Sequence, residues 1–262
     1  MTELAIIYLL LGAVAGLLAG LLGVGGGLVI VPVLSWLFLA SGVLTQDPVQ
    51  FAVGTSLATI VFTSLSSIRA HHRRGAVRWD IVRRLVPGIV LGTLAGSLLA
   101  TRLESATLGQ VFGAFEILVA IHMALDRRPS ATRELPGTPG MLAAGGGIGA
   151  VSALLGIGGG TLTVPFLAWC HVVMREAVAT ASACGLPIAL AGATAFMVLA
   201  PADGGVSWNT GYVFWPAVLG IALASITTAP LGARLAHRLP ARSLKRVFSL
   251  VLLLLGLRML LG

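Results

Sequence analysis

Residues 12–34 read GAVAGLLAGLLGVGGGLVIVPVL, and residues 145–167 read GGGIGAVSALLGIGGGTLTVPFL. The two stretches align without a gap, and both carry the pattern Gly-x-Gly-Gly-Gly-x-x-x-x-Pro. The matched positions are Gly23, Gly25, Gly26, Gly27 and Pro32 in the first copy and Gly156, Gly158, Gly159, Gly160 and Pro165 in the second. A pattern that recurs in this way indicates an internal duplication.

Outside this motif, short matches continue in the same order along the chain. Residues 52–56 (AVGTS) match 177–181 (AVATA), residues 75–79 (GAVRW) match 211–215 (GYVFW), and residues 111–112 match 247–248, both VF. Matching blocks in one order are expected when a whole unit has been duplicated. The sequence therefore predicts two related repeats.

The composition is that of an integral membrane protein. Of the 262 residues, 57% are hydrophobic and only 10% are charged, and the mean hydropathy is +0.99. A soluble domain of this size needs more charge on its surface. The net charge of +8 comes largely from arginines in short polar connections, where they contact anionic lipid headgroups. We therefore expect membrane lipid as a partner and no nucleic acid.

Each repeat contains five apolar segments, of which the second is short. The segments lie near 4–22, 28–40, 50–68, 84–101 and 108–125 in the first repeat, and near 140–156, 161–173, 178–200, 212–233 and 246–261 in the second. A helix needs about 20 residues to span a bilayer. The second segment of each repeat is shorter than this and contains a proline. We therefore predict that each repeat is a glycine-broken helical hairpin followed by three transmembrane helices.

The distribution of Lys and Arg predicts the orientation, because these residues favour cytoplasmic loops. In the first repeat, the connection between the third and fourth segments is crowded with arginines: Arg69, Arg73, Arg74, Arg78, Arg83 and Arg84. The equivalent connection of the second repeat, near 201–211, has no basic residue. The next connection has the opposite bias. Arg102 is balanced by Glu104 in the first repeat, and basic residues crowd 234–246 in the second.

Equivalent connections therefore face opposite sides of the membrane, which predicts two inverted repeats. The first membrane repeat is 1–126, the cytoplasmic linker is 127–139 and the second membrane repeat is 140–262. Both termini are then predicted to be periplasmic. A layout of eight spans in two parallel halves would place the basic residues of 234–246 outside, and we reject it on that ground.

Inverted repeats with broken helices are a recurrent architecture of secondary transporters. A break frees backbone N–H groups, and the N-terminus of the next short helix attracts anions. Hydroxyl groups nearby add neutral donors. We predict a substrate site near the midplane formed by Gly25, Gly26, Gly27, Thr55, Ser56, Gly158, Gly159, Gly160, Thr161 and Thr180. Because Ala181 replaces Ser56 in the second copy, we expect an asymmetric site with Thr55 and Ser56 on the richer side.

Glu116 lies in the middle of the fifth segment of the first repeat, and its equivalent in the second repeat is Leu252. An ionisable residue at membrane depth indicates a function, so Glu116 is a candidate for proton coupling. It could instead pair with another helix or with a partner subunit, which leaves a homodimer open. The Cys and His residues show no metal-ligand spacing, so we predict no metal site.

The blocks GLLGVGGGLVIVPVL and ALLGIGGGTLTVPFL, with AVGTS after the first, resemble the TauE/SafE family of membrane permeases. The resemblance covers nearly the whole chain. It implies export of sulfite or of organosulfur anions such as sulfoacetate, although some members take up sulfonates. It also implies a bacterial inner-membrane location and no prosthetic group.

The sequence thus predicts a secondary transporter, an exporter of a small sulfur-containing anion that works by alternating access. No ATP-binding motif is present, so an ion gradient or the membrane potential must supply the energy. An uptake permease for sulfonate or another small anion is the alternative, and a channel is a third reading. A membrane-embedded enzyme would need a convergent set of His, Cys, Asp or Glu residues, and the sequence shows no such arrangement.

Overall fold

The computed structural model describes residues 2–22, 26–125, 134–200, 208–236 and 241–261. This part of the chain forms ten helices and one short hairpin. The first repeat contains α1 (Thr2–Leu22), α2 (Gly27–Ala40), α3 (Pro48–His72), α4 (Trp79–Arg102) and α5 (Ser105–Ala124). The second contains α6 (Thr138–Leu154), α7 (Gly160–Trp169), α8 (Met174–Val198), β1 (Asn209–Thr210), β2 (Val213–Phe214), α9 (Trp215–Ala236) and α10 (Ala241–Leu261). The ten helices coincide with the ten predicted segments, which confirms an all-α membrane protein.

Helix length separates the spanning helices from the short ones. Five described helices are long and apolar enough to cross a membrane: α3, α4, α5, α8 and the Trp215–Gly232 part of α9. The second helix of each repeat has only 14 residues in α2 and 10 in α7, which confirms that both are shorter than a span. α7 ends at Trp169 rather than near 173, because His171 has a left-handed φ of 60° that turns the chain.

The connection between α3 and α4 is shorter than the sequence predicted. Both helices extend toward each other, so that Arg69 lies in α3 and Arg83 and Arg84 lie in α4. The prediction that all six arginines lie in the connection was therefore wrong for these three. The sequence prediction followed the apolar residues of each segment, whereas the helices continue beyond those residues into their polar ends. The arginines nevertheless remain at one end of the two helices.

Helices from the two repeats pack in four main pairs. Equivalent helices pack together in two of them, α3 with α8 and α5 with α10. In the other two, the first helix of one repeat packs against the fourth helix of the other, α1 with α9 and α6 with α4. Exchanging the two repeats leaves this set of pairs unchanged.

The two pairs of equivalent helices run antiparallel. In α3 and α8, Gly54 lies beside Phe196 near the start of one helix and the end of the other, and Ser64 lies beside Gly185 further along. In α5 and α10, the order is reversed in the same way, with Gly109 beside Met259 and Gly113 beside Gly256.

The two remaining pairs run parallel and are packed through small residues. A Cβ added at a glycine of α4 would overlap the backbone of α6 at three successive turns: Gly88 at Leu142, Gly92 at Gly146 and Gly96 at Ala150. α1 and α9 approach each other similarly, at Gly12 with Ile221 and Gly16 with Ser225. Small residues at this spacing let the backbones of membrane helices come into direct contact.

The two ends of this helix bundle differ in charge. At one end, the connection between α3 and α4 meets the start of α8, where Arg175 Nη2 donates to the Arg74 carbonyl oxygen over 3.2 Å. Arg78 Nη1 lies 3.3 Å from Glu176 Oε2 at the same place. We call this the arginine end.

The opposite end is bound together by uncharged and acidic groups. The Tyr212 hydroxyl donates to Asp47 Oδ2 over 3.0 Å, and the Gln50 amide donates to the Leu103 carbonyl oxygen over 2.7 Å. α1 is parallel to α9, which begins at this end, and α10 is antiparallel to α5, which also begins here. The first helix therefore begins, and the last helix ends, away from the arginine end.

Candidate functional site

The second glycine break contains two glycines with left-handed backbones. α6 ends in a Schellman motif, in which the Ile157 N–H donates to the Ser152 carbonyl oxygen (2.9 Å) and the Gly156 N–H donates to that of Ala153 (3.3 Å). Gly156 has a φ of 64°, and Gly159, which caps α7, has a φ of 73°. Residues with a side chain rarely adopt these angles, so both positions require glycine.

The two breaks touch each other at the start of α2. A Cβ added to Gly27 would overlap the Gly156 carbonyl oxygen and would lie 3.0 Å from the Ile157 Cα. Gly26 is the N-cap of α2. Gly25, also predicted to line the site, lies outside the described residues. The broken segments of the two repeats therefore form one region.

α3 of the first repeat lies across the break of the second repeat. Ser56 Oγ donates to the Gly156 carbonyl oxygen over 2.8 Å, which satisfies an acceptor freed at the end of α6. Ile60 Cγ2 lies 3.2 Å from the position of a Cβ on Gly158. From α8, Gly185 approaches so closely that its Cβ would lie 2.7 Å from the Gly158 carbonyl oxygen. The second break is thus enclosed by α3 and α8.

Thr55 and Thr180, which are equivalent in the two repeats, make equivalent hydrogen bonds. Thr55 Oγ1 accepts the Phe214 N–H and Thr180 Oγ1 accepts the Arg78 N–H, each over 3.1 Å. Each bond joins the third helix of one repeat to the residue before the fourth helix of the other. Both hydroxyls keep a proton to donate, so a contact from Thr55 or Thr180 to substrate stays a prediction.

Five fully buried hydroxyls have no hydrogen-bond partner within the described part of the chain: Tyr8, Thr93, Ser97, Ser152 and Thr163. Two of them border the second break. Ser152 Oγ lies 3.8 Å and Thr163 Oγ1 lies 3.6 Å from the position of a Cβ on Gly159. The remaining predicted residues, Gly160 and Thr161, form the first two positions of α7 beside them.

Ser152 was missed by reasoning from the sequence, and Thr163 was not placed in the predicted site. A single hydroxyl in a small-residue helix is usually bonded to its own helix, so neither residue stands out alone. Comparison of the two repeats was the available signal, since Ala19 and Ile30 occupy the equivalent positions.

Glu116 is fully buried in α5, and neither of its carboxyl oxygens has a hydrogen-bond partner among the residues that the structure describes. Its helix packs on α10, where Gly113 meets Gly256 and the equivalent residue Leu252 is also fully buried. A buried carboxyl group without a partner at membrane depth is costly and marks a candidate functional residue. Its role in coupling stays a prediction.

An open groove lies between α3, α4 and α8, with a cavity volume of about 750 Å³. At the arginine end its lining includes Arg69, His72 and Trp79. Deeper in, it is lined by Leu65 and Leu186, which follow Ser64 and Gly185 in the chain. The groove therefore extends from the arginine end along the three helices.

The polar groups at the breaks are hydroxyls and backbone groups. Within the described ranges, no three His, Cys, Asp or Glu residues lie where they could hold a metal ion. Hydroxyl O–H and backbone N–H groups donate hydrogen bonds, which oxyanions accept. The donor set therefore suits an anion.

Comparisons with known proteins identify the family of the chain. The family described as Sulfite exporter TauE/SafE matches residues 8–259. A probable membrane transporter protein of Haemophilus influenzae is 36% identical over 261 residues, with 97% of each chain covered. A second, of Methanocaldococcus jannaschii, is 32% identical over 258 residues, with 97% of this chain and 95% of its own covered. No solved structure matches the chain. The chain therefore belongs to the sulfite exporter TauE/SafE family and is a membrane transporter, not an enzyme.

Proposed function

We propose that this protein is a secondary transporter that exports a small sulfur-containing anion, such as sulfite or an organosulfonate. The substrate binds where the two glycine breaks meet and is released by alternating access. The observation that carries the proposal is the direct contact of Gly27 with Gly156, which joins the broken segments of both repeats. The family description points to the same class of substrate.

Inverted repeats provide the mechanism, and the helix directions support them. If an axis in the membrane plane relates the repeats, equivalent helices that touch must run antiparallel, as α3 with α8 and α5 with α10 do. An axis along the membrane normal would make them parallel. In the proposed orientation the arginine end is cytoplasmic and both termini are periplasmic, in a bacterial inner membrane.

Charge compensation for the anion comes from the backbone. The buried residues of the described part of the chain include no Lys or Arg. The N-terminus of α7 and that of α2 therefore supply the positive potential, because the N–H groups of a first helical turn lack helical partners. Neutral donors hold an anion without trapping it as strongly as a buried guanidinium, which a transporter requires in order to release it.

The proposal is tested by flux into and out of proteoliposomes with sulfite, sulfoacetate and sulfate, each with and without a pH gradient. We expect saturable flux of sulfite or sulfoacetate above that of empty liposomes. A Gly159→Val variant, which must place a β-branched side chain at φ 73° against Ile188, serves as the inactive control. Absence of flux for every sulfur anion would refute the assignment. Efflux from preloaded cells separates an exporter from an uptake permease.

A further inference from the structure

The two glycine breaks differ in polarity. Ser152 and Thr163 at the second break correspond to Ala19 and Ile30 at the first, and Thr161 corresponds to Leu28. The surroundings follow the same difference, because a Cβ on Gly26 would meet the side chains of Ile30 and Ala15. Three hydroxyl residues at one break therefore correspond to three aliphatic residues at the other.

Two of these hydroxyls are buried without a partner. Ser152 and Thr163 are 0% exposed, and neither hydroxyl oxygen has a hydrogen-bond partner in the described ranges. A buried hydroxyl that stays unsatisfied costs about 1–3 kcal/mol. Both are placed around Gly159, the residue that caps α7. An anion that binds beside Gly159 would therefore meet these two hydroxyl donors first.

The helix start supplies the complementary charge. α7 has ten residues, and the N-terminal end of its dipole points at Gly159. Gly159 leaves the space of a missing side chain there, and its φ of 73° keeps that position as glycine. Ile188 Cδ1 closes the same space from α8, at 2.5 Å from the position of a Cβ on Gly159. This aliphatic side chain therefore fills the place of the missing Cβ and must move before an anion can occupy it.

We propose that the substrate anion binds at the second break only, with Ser152 Oγ and Thr163 Oγ1 donating hydrogen bonds to its oxygen atoms. This inference rests on the proposed transport of a small sulfur oxyanion and assigns it a one-sided site. The sulfite or sulfonate group sits against the N-terminus of α7. The first break, whose Gly27 contacts Gly156 and Ile157, donates no side-chain hydrogen bond to it.

The inference also revises the expected asymmetry of the site. Ser56 donates its hydroxyl proton to the Gly156 carbonyl oxygen, so it supports the break rather than supplying a free donor, whereas Thr55 accepts the Phe214 N–H and keeps its proton. The donors that border Gly159 come from α6 and α7 themselves. Ile188 then limits the size of the group that the sulfur atom can carry.

The test is isothermal titration of the full chain in lipid nanodiscs with sulfite, sulfoacetate and sulfate. Because a hydrogen bond to a charged group contributes about 1.5–3 kcal/mol, we expect Ser152→Ala and Thr163→Val each to weaken binding of the sulfur anion about 10- to 100-fold. Thr163→Ser should restore it. Ile30→Val, at the equivalent position of the first break, and Ser182→Ala, whose hydroxyl bonds to its own helix over 3.0 Å, should leave it unchanged.

Thermal unfolding of the same variants separates binding from structure. Since Ser152 and Thr163 have no partner to lose within the described residues, their apolar variants should unfold at the wild-type temperature or above it. Wild-type affinity in both variants, or a shared loss of affinity and stability, would overturn the one-sided site. Transport by the wild type would still support the proposed function in that case. If the wild type neither binds nor transports any of the three anions, the proposed function fails and the site falls with it.

Discussion

Thr55 and Thr180 show what the duplication preserves at the scale of single residues. Each hydroxyl accepts the backbone N–H that precedes the fourth helix of the opposite repeat, and the two distances are equal at 3.1 Å. These N–H groups belong to helix starts, where no helical partner exists. The conserved Thr of the two AVxT blocks therefore ties each repeat to the other.

Ser56 shows the opposite case, a residue that the duplication did not keep. Its hydroxyl donates to the carbonyl oxygen of Gly156, and Ala181 takes its place in the second repeat. Alanine has no hydroxyl, so Ala181 cannot give the first break the support that Ser56 gives the second. This residue difference between the repeats thus adds a polar contact at the second break.

Glu116 carries a prediction at the same scale. Glu116→Gln keeps the size and polarity of the side chain but cannot exchange a proton at physiological pH. If Glu116 is the coupling residue, the variant should lose at least about tenfold of the flux driven by a pH gradient, while counterflow of substrate without a gradient persists. The measurement is sulfite flux in proteoliposomes.

Glu104→Gln is the matched control for Glu116→Gln. Glu104 is exposed at the start of α5, so its loss removes one carboxylate without touching the core. The control should respond to the gradient as the wild type does. An unchanged gradient response in Glu116→Gln itself would show that another group carries the proton or that coupling uses a different ion.

Among the elements, α4 and α6 form the closest pair through glycines. A Cβ at Gly92 would overlap the backbone of Gly146. In a membrane, van der Waals contact between helices replaces the hydrophobic effect as the source of association. A methyl group that forces the two helices apart therefore weakens the van der Waals contacts along the whole pair.

We predict that Gly92→Ala lowers the free energy of unfolding by about 1–3 kcal/mol, because the two backbones must move apart. Gly147→Ala on the facing helix is the control, since a Cβ there meets nothing within 4 Å. It should be neutral or slightly stabilising, as alanine is the better helix former. Thermal unfolding in detergent measures both variants, and equal melting temperatures would contradict the close packing of α4 on α6.

At the scale of the whole molecule, the helix pairs interleave the repeats. Neither repeat forms a separate body, because α1 packs on α9 and α6 packs on α4. Rigid-body movement in this protein must therefore involve pairs of helices drawn from both repeats. The broken helix α2 packs on α3 and α7 packs on α8, so in the proposed mechanism movement of these helices would open the site to one side or the other.

Orientation in the membrane gives the prediction at this scale. Ala70 lies in the last turn of α3 at the arginine end, and Thr210 lies in the hairpin, which is part of the equivalent connection of the second repeat. In inverted repeats, cysteines at these two positions should react with a membrane-impermeant maleimide from opposite sides, Thr210→Cys from the periplasm and Ala70→Cys from the cytoplasm. Substitution of the buried Cys170 and Cys184 by alanine supplies the background. Labelling of both cysteines from one side would contradict the inverted arrangement.

The sequence by itself determined the helices and the place of the breaks. Apolar segments, the doubled glycine motif and the prolines at 32 and 165 depend on local chemistry, and the structure places ten helices on the ten segments. Left-handed backbone at Gly156 and Gly159 is likewise a local property, because only glycine adopts it freely. The arginine clusters predicted which helix ends lie together at one end of the molecule, because charged side chains are costly within the bilayer.

Only the tertiary structure decided which groups meet at the breaks. Ser152 and Thr163 have ordinary neighbours in the sequence, and the sequence does not show that Ser56 donates its proton to the Gly156 carbonyl oxygen of the other repeat. Whether a hydroxyl is satisfied depends on contacts between residues far apart in the chain. Helix periodicity does not determine those contacts, so the polarity of the site could be described only from the folded arrangement of both repeats.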